Sequence, residues 1–186
     1  MIDENSNFDI ENISDDYIPS LLVEKGDKKI RDLYPELEEY LSHDFIFEDD
    51  RVRMSISYDN GYVSYYEHIE EDAKKEGLLI GDYIRKHEKE LIKEYVSIDV
   101  VLYPENGAKN VKQQYKDEFY DVYEKLTSKY DNSFTLNITV QVYDDHINED
   151  SYVDFFDNET QKVLTREEVM DRFNNYDKYK QDTEYN

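Results

Sequence analysis

Residues 133 to 143 read SFTLNITVQVY, with Phe134, Leu136, Ile138, Val140 and Val142 alternating with Thr135, Asn137, Thr139 and Gln141. Successive side chains of a strand point to opposite faces, so this pattern calls for a sheet with one apolar face and one polar face. The residues before it keep a different period. Val111, Tyr115, Phe119, Val122, Leu126 and Tyr130 recur every three or four positions, the apolar stripe of a helix of more than about five turns. A long one-sided helix running into a one-sided strand implies helices packed on the apolar face of a sheet.

The rest of the chain repeats this alternation of periods. Val52, Met54, Ile56 and Tyr58 alternate with Arg51, Arg53, Ser55 and Ser57, and Asn60-Gly61 follows as a tight turn. With Phe45 to Phe47 before it and Tyr62 to Tyr66 after it, the segment predicts a three-stranded meander. Ile30, Leu33, Leu37 and Leu41 share a helical face, with Pro35 predicted to kink that helix or start a fresh one and the helix ending at Ser42. Glu70 to Tyr95 is helical with breaks at Gly77 and Gly81, and Asp82 is the predicted N-cap of a helix turning Ile84, His87, Leu91 and Tyr95 inward. Val96, Ile98, Val100 and Leu102 return to period two. Pro104-Glu105-Asn106-Gly107 reads as a turn. SYVDFF and QKVLT, flanking Asp157-Asn158-Glu159-Thr160, predict a second hairpin, and Thr165-Arg166-Glu167-Glu168 is a capping box opening a last helix to about Lys180. The fold class expected is α+β, a single domain of mostly antiparallel sheet with helices on one face. Residues 1 to 16 read as an acidic flexible arm, 17 to 180 as the domain and 181 to 186 as a frayed tail.

Composition is consistent with a folded chain. The mean hydropathy of -0.95 leans towards disorder, but 19 Tyr and 8 Phe in 186 residues supply the aromatic bulk that disordered chains lack. The net charge of -24 comes from 46 acidic and 22 basic residues, well beyond the roughly 2 to 8 that keeps a small domain soluble. Such a surplus repels itself, so it reflects either a salty habitat or a partner. It disfavours direct contact with nucleic acid and anionic membranes, which share its sign, and favours a basic protein surface. The absence of Cys excludes disulfides and thiol chemistry. The first residues, MIDENSNFDIENISDD, have neither a basic nor an apolar leader region. The expected location is the cytoplasm of a bacterial host cell.

The window 140 to 160, VQVYDDHINEDSYVDFFDNET, invites a metal reading that its spacing does not support. A calcium loop needs oxygen donors at positions 1, 3 and 5, Gly at 6 and Glu at 12, and no start at Asp144, Asp145, Asp150 or Asp154 provides them. Zinc is disfavoured by the lack of Cys and by the scatter of His43, His68, His87 and His146. Carboxylate pairs are too numerous to mark a glycosidase. Asp99 lies on a good strand but no Glu-x-Lys follows it on a neighbouring one, as a nuclease of that type would need. Five Gly fit no nucleotide-binding loop, and no Ser or Thr sits in a nucleophile elbow. No catalytic residue, metal or cofactor is therefore assigned. The tyrosines 58, 62, 65 and 66 near the first hairpin, and 115, 120, 123 and 130 on the long helix, lack the Lys and Arg lining of a base-stacking platform; they suit core-edge packing or a protein interface.

The charge is not evenly spread. Arg85, Lys86, Lys89 and Lys93, and Lys109, Lys112, Lys116, Lys125 and Lys129, hold two helical stretches near neutrality. Acids without bases gather in the first 24 residues and between Tyr130 and Gln161. The candidate partner-binding residues are Glu48, Asp49, Asp50, Asp144, Asp145, Glu149, Asp150, Asp154, Asp157 and Glu159. A duplex carries one charge per roughly 1.7 Å of axis, so the surplus equals that on roughly 40 Å of DNA. In charge distribution the chain resembles the small acidic DNA-mimic inhibitors that phages and mobile elements direct against restriction enzymes and CRISPR nucleases. The resemblance implies a non-enzymatic inhibitor that occupies the basic nucleic-acid groove of a host defence nuclease. The alternative is an immunity or antitoxin protein neutralising a basic nuclease toxin.

Overall fold

The computed structural model describes residues 22, 24 to 26, 28 to 35, 47 to 49, 52 to 59, 66 to 144 and 149 to 182. Strands β1 (Phe47–Asp49) and β2 (Val52–Asp59) are followed by helices α1 (Tyr66–Glu76), α2 (Ile80–Lys86) and α3 (Glu88–Tyr95). Strand β3 (Ser97–Pro104), a 3-10 turn (Ala108–Asn110), helix α4 (Gln113–Lys129) and strand β4 (Thr135–Asp144) come next. Strand β5 (Glu149–Asp154), helix α5 (Arg166–Asn174), the single turn α6 (Tyr176–Tyr179) and strand β6 (Gln181–Asp182) complete the chain. The six strands form one sheet in sequence order, antiparallel throughout except for the parallel pair β3/β4. Parallel neighbours need a long crossover, and α4 supplies it.

The alternating residues do what their period requires. Met54, Ile56, Ile98, Val100, Leu102, Leu136, Ile138, Val140 and Val153 are buried in one cluster with Phe119, Val122, Tyr123 and Leu126 of α4 and with Val169 and Phe173 of α5. Phe119 sits at the centre, edge-on to Phe155 at 4.9 Å and to Phe173 at 5.3 Å. On the other face Arg53, Ser55, Ser57, Asp99, Val101, Tyr103, Asn137, Thr139 and Gln141 keep part or all of their exposure. The molecule is thus an α+β domain with a largely antiparallel sheet. A smaller cluster, Leu22, Ile69, Ile84 and Leu91, lies beneath α1 to α3.

Local signals hold where their cause is local. The capping box is complete: the Thr165 hydroxyl accepts from the Glu168 amide at 3.2 Å, and the Glu168 carboxylate accepts from the Thr165 amide at 2.8 Å. Gly77, at φ +68°, ends α1 in a conformation that costs other residues more. Residues 28 to 33 are helical, Tyr34 leaves the helix and Pro35 opens a 3-10 turn, since a proline biases the residue before it away from helix. The predicted end of that helix at Ser42 lies outside the described residues, as does the acidic arm.

Several expectations are corrected. Gly81 lies inside α2, whose N-cap is Leu79 rather than Asp82. The break falls instead at His87, whose ring stacks on Tyr83 at 4.4 Å and whose Nε2 lies 3.0 Å from Glu76; these partners hold it between helices rather than inside one. Tyr66, expected in a third meander strand, begins α1. The second hairpin is not formed. Its turn is present, but residues 161 to 165 are not strand: Gln161 has φ +52°, outside the extended region, and the β5 edge that this segment would have joined pairs with Gln181 and Asp182 instead. The Asn158 side chain meets the start of β4. Its Oδ1 accepts from the Leu136 amide at 3.0 Å and its Nδ2 donates to the Leu136 carbonyl at 3.1 Å. The Leu164 amide donates to the Tyr123 hydroxyl at 2.6 Å, which ties the following segment to α4. β5 pairs with β4, so the hairpin is β4/β5 and Asp144, Glu149 and Asp150 are strand residues rather than loop. The last helix breaks at Asn175. Finally, Gln181 and Asp182, expected to fray, pair with Tyr152 and Ser151, and Gln181 donates to the Asp154 carboxylate at 3.2 Å. An open strand edge recruits the chain that passes it.

Candidate functional site

The sheet register brings together two acidic segments that are about a hundred residues apart in sequence. Asp49 pairs with Val52, and Val52 with Pro104. β4 runs parallel to β3, with Leu102 beside Val140, and ends at Asp144, which pairs with Glu149. The β1/β2 turn, the C-terminal end of β3 and the β4/β5 hairpin therefore all emerge from one end of the sheet. With neighbouring strands about 4.8 Å apart, β1 and β5 lie roughly 19 Å from each other across this rim. Glu48 and Asp49 stand at one side of it, and Asp144, Glu149 and Asp150 at the other. Asp50 and Asp145 lie outside the described residues.

Glu105 belongs to the same rim. It is exposed and immediately follows Pro104 at the end of β3. Its turn was evident in the sequence but its charge was not grouped with the others, because only register reveals the neighbourhood. The rim is not purely acidic: Lys109 and Lys112 follow Glu105 in the chain.

The remaining three candidates lie elsewhere. β5 runs away from the rim, so Asp157 and Glu159 sit eight and ten residues beyond Glu149 at the far end. Asp157 is committed to its own turn. It accepts from the Thr160 hydroxyl at 2.7 Å and the Glu159 amide at 2.8 Å, and these bonds hold its pKa below the ordinary value. Glu159 is exposed and has no ion pair among the described residues. Asp154 lies opposite Thr139 on the open face. Burial pushes its pKa up, opposed by the charge of Arg172 and by the bond from Gln181.

Bases are engaged on the helices. Lys74 pairs with Glu70, Lys75 with Asp72, Arg85 with Asp82, Lys86 with Glu76, Lys162 with Glu168, and Arg166 with Asp117. Every described ion pair of a Lys or Arg has at least one member on a helix. The long-helix tyrosines are structural: Tyr115 and Tyr123 are buried, and Tyr120 and Tyr130 pack against the core. Among the described residues no group of His, Cys, Asp or Glu side chains is arranged to hold a metal, and no helix is long and apolar enough to cross a membrane.

The chain matches no family model, and no curated protein and no solved structure is significantly similar to it.

Proposed function

We propose that this protein is a non-enzymatic acidic inhibitor whose sheet rim occupies the basic nucleic-acid groove of a host defence nuclease, in the manner of a DNA mimic. The observation that carries the reading is the register. It gathers Glu48, Asp49, Glu105, Asp144, Glu149 and Asp150 at one end of the sheet, while the described ion pairs each involve the helical layer. Acidic residues at neighbouring strand ends are set side by side by the strand spacing, and their charge has the sign of a phosphate backbone. Their long-range field speeds encounter with a basic surface and makes binding salt-sensitive. Asp154 and Asp157 are left out of the contact surface, since burial and turn geometry already use them.

The test is affinity capture from bacterial lysate at low salt and at high salt, alongside the variant Asp144→Asn, Asp145→Asn, Glu149→Gln, Asp150→Asn. The expected result is recovery of a nucleic-acid enzyme that is lost at high salt and lost with the variant, which keeps or gains stability. Capture of no such enzyme in either condition, or capture unaffected by the four substitutions, would sink the proposal.

A further inference from the structure

A second concave surface lies away from the rim. α1, α2 and α3 pack on the small apolar cluster and leave a cavity of about 410 Å³ between them. Its lining combines three chemistries. Ile69 and Leu91, at 2% and 4% exposure, supply an apolar floor. Tyr83 from α2 and Tyr95 from α3 supply phenol rings, with His68 of α1 beside them. Asp72 of α1 and Glu94 of α3 contribute one carboxylate each, and Lys75 is the base present. Lys75 is 2.7 Å from Asp72, whereas Glu94 has no basic partner among the described residues.

Carboxylates on an acidic surface are usually just solvated. What distinguishes these is that they edge a half-open concavity with an apolar floor and two tyrosines. Negative potential is concentrated there: Asp72 and Glu94 both raise the pKa of Tyr83 and of Tyr95, after burial as the first cause, and Tyr95 is pushed up to about 12. Both phenols thus remain neutral across the physiological range. Neutral rings attract a cation through their faces, and a cavity of a few hundred Å³ with an apolar floor and a few polar groups is the form of a small-ligand site.

We infer that the α1–α3 cavity binds a small organic cation, a guanidinium or ammonium group on an aliphatic stem. The stem lies on Ile69 and Leu91, and the charged head meets Glu94, Asp72 and the tyrosine rings. This site is independent of the inhibitor reading and stands or falls separately from it.

The probe is agmatine, titrated into the labelled full chain and followed by amide NMR shifts at fixed ionic strength, with pentan-1-ol as a neutral compound of similar stem. Saturable shifts confined to the neighbourhood of Ile69, Tyr83, Leu91 and Tyr95 are expected, with pentan-1-ol much weaker. Asp72→Asn with Glu94→Gln should weaken agmatine by at least about tenfold, the scale of a lost charge-assisted hydrogen bond. Both side chains are surface groups, and an unchanged spectrum outside the cavity checks that the fold is intact. The hairpin variant described above should bind agmatine within about a factor of two of the parent, since Tyr95 precedes the start of β3 whereas the rim lies at the opposite end of that strand and salt screens charges beyond a Debye length of about 8 Å. Shifts scattered over the whole acidic surface, equal binding by the cavity variant, or equal binding of pentan-1-ol would each overturn the assignment.

Discussion

On the helices of this protein, charges are arranged in opposite-sign neighbours; at the turn-bearing end of the sheet, acids outnumber bases. The difference follows from geometry. Helical spacing sets residues three and four apart side by side, so Lys74 meets Glu70 and Arg85 meets Asp82, each pair contributing about 0.2–0.5 kcal/mol. Turns at strand ends offer no such spacing, and the acids of β1/β2 and β4/β5 are placed by register instead. A single net charge of -24 therefore hides two surfaces, one of paired charges and one where acids are in excess.

Four measurements separate packing from charge in these regions. The helical layer should be held to the sheet by its aromatic core, so Phe119→Ala is expected to cost about 3–5 kcal/mol in urea unfolding. A loss below about 1 kcal/mol would mean that ion pairs rather than packing bind the layers. Thr165→Ala removes one half of the α5 capping box and should cost about 1 kcal/mol, or about 2–4 °C in Tm at this chain length. An unchanged Tm would show that the box is formed but idle.

Salt probes the unbalanced surface. Raising NaCl from 0.1 to 1 M shortens the Debye length from about 10 to about 3 Å. Repulsion among unpaired acids is relieved more than the short helical pairs are weakened, so Tm should rise by about 2–4 °C. A fall would place the dominant electrostatics in the helical pairs.

The smallest effect concerns pH, where the two regions have opposite signs. Bonds from Lys162 and the Thr165 amide hold the Glu168 pKa down to about 2. Its contribution is complete above its ordinary 4.5 and disappears as pH falls towards 2. Burial raises the pKa of Asp154, so the folded state retains that proton longer than the unfolded chain does. Its contribution is complete below the ordinary 3.8 and is lost as pH rises through the folded-state value. Asp154→Asn should therefore add at most about 2–4 °C to Tm at pH 7 and nothing below about pH 3, where the carboxyl is already neutral. A variant less stable at pH 7 would refute that sign.

Much of the architecture was legible from nearby residues. The alternation at 134 to 142, the stripe of α4 and the Thr165 capping box each depend on contacts within a few positions; the alternation and the box appear as read, while the helix is shorter than its stripe, with Val111 and Tyr130 outside Gln113–Lys129. Errors arose where a distant partner intervened: β5 pairs with Gln181 and Asp182 rather than with residues 161 to 165, and Tyr83 with Glu76 holds His87 out of a helix. The candidate site follows the same division. Sequence alone established which segments are acidic and base-free, because charge is a property of each residue. That Glu48 and Asp49 share one end of the sheet with Asp144, Glu149 and Asp150, with Glu105 joining them and Asp154, Asp157 and Glu159 excluded, was decided by strand register. Register is a choice among alternatives made by the whole buried face, since a one-residue slip would turn every core side chain towards water.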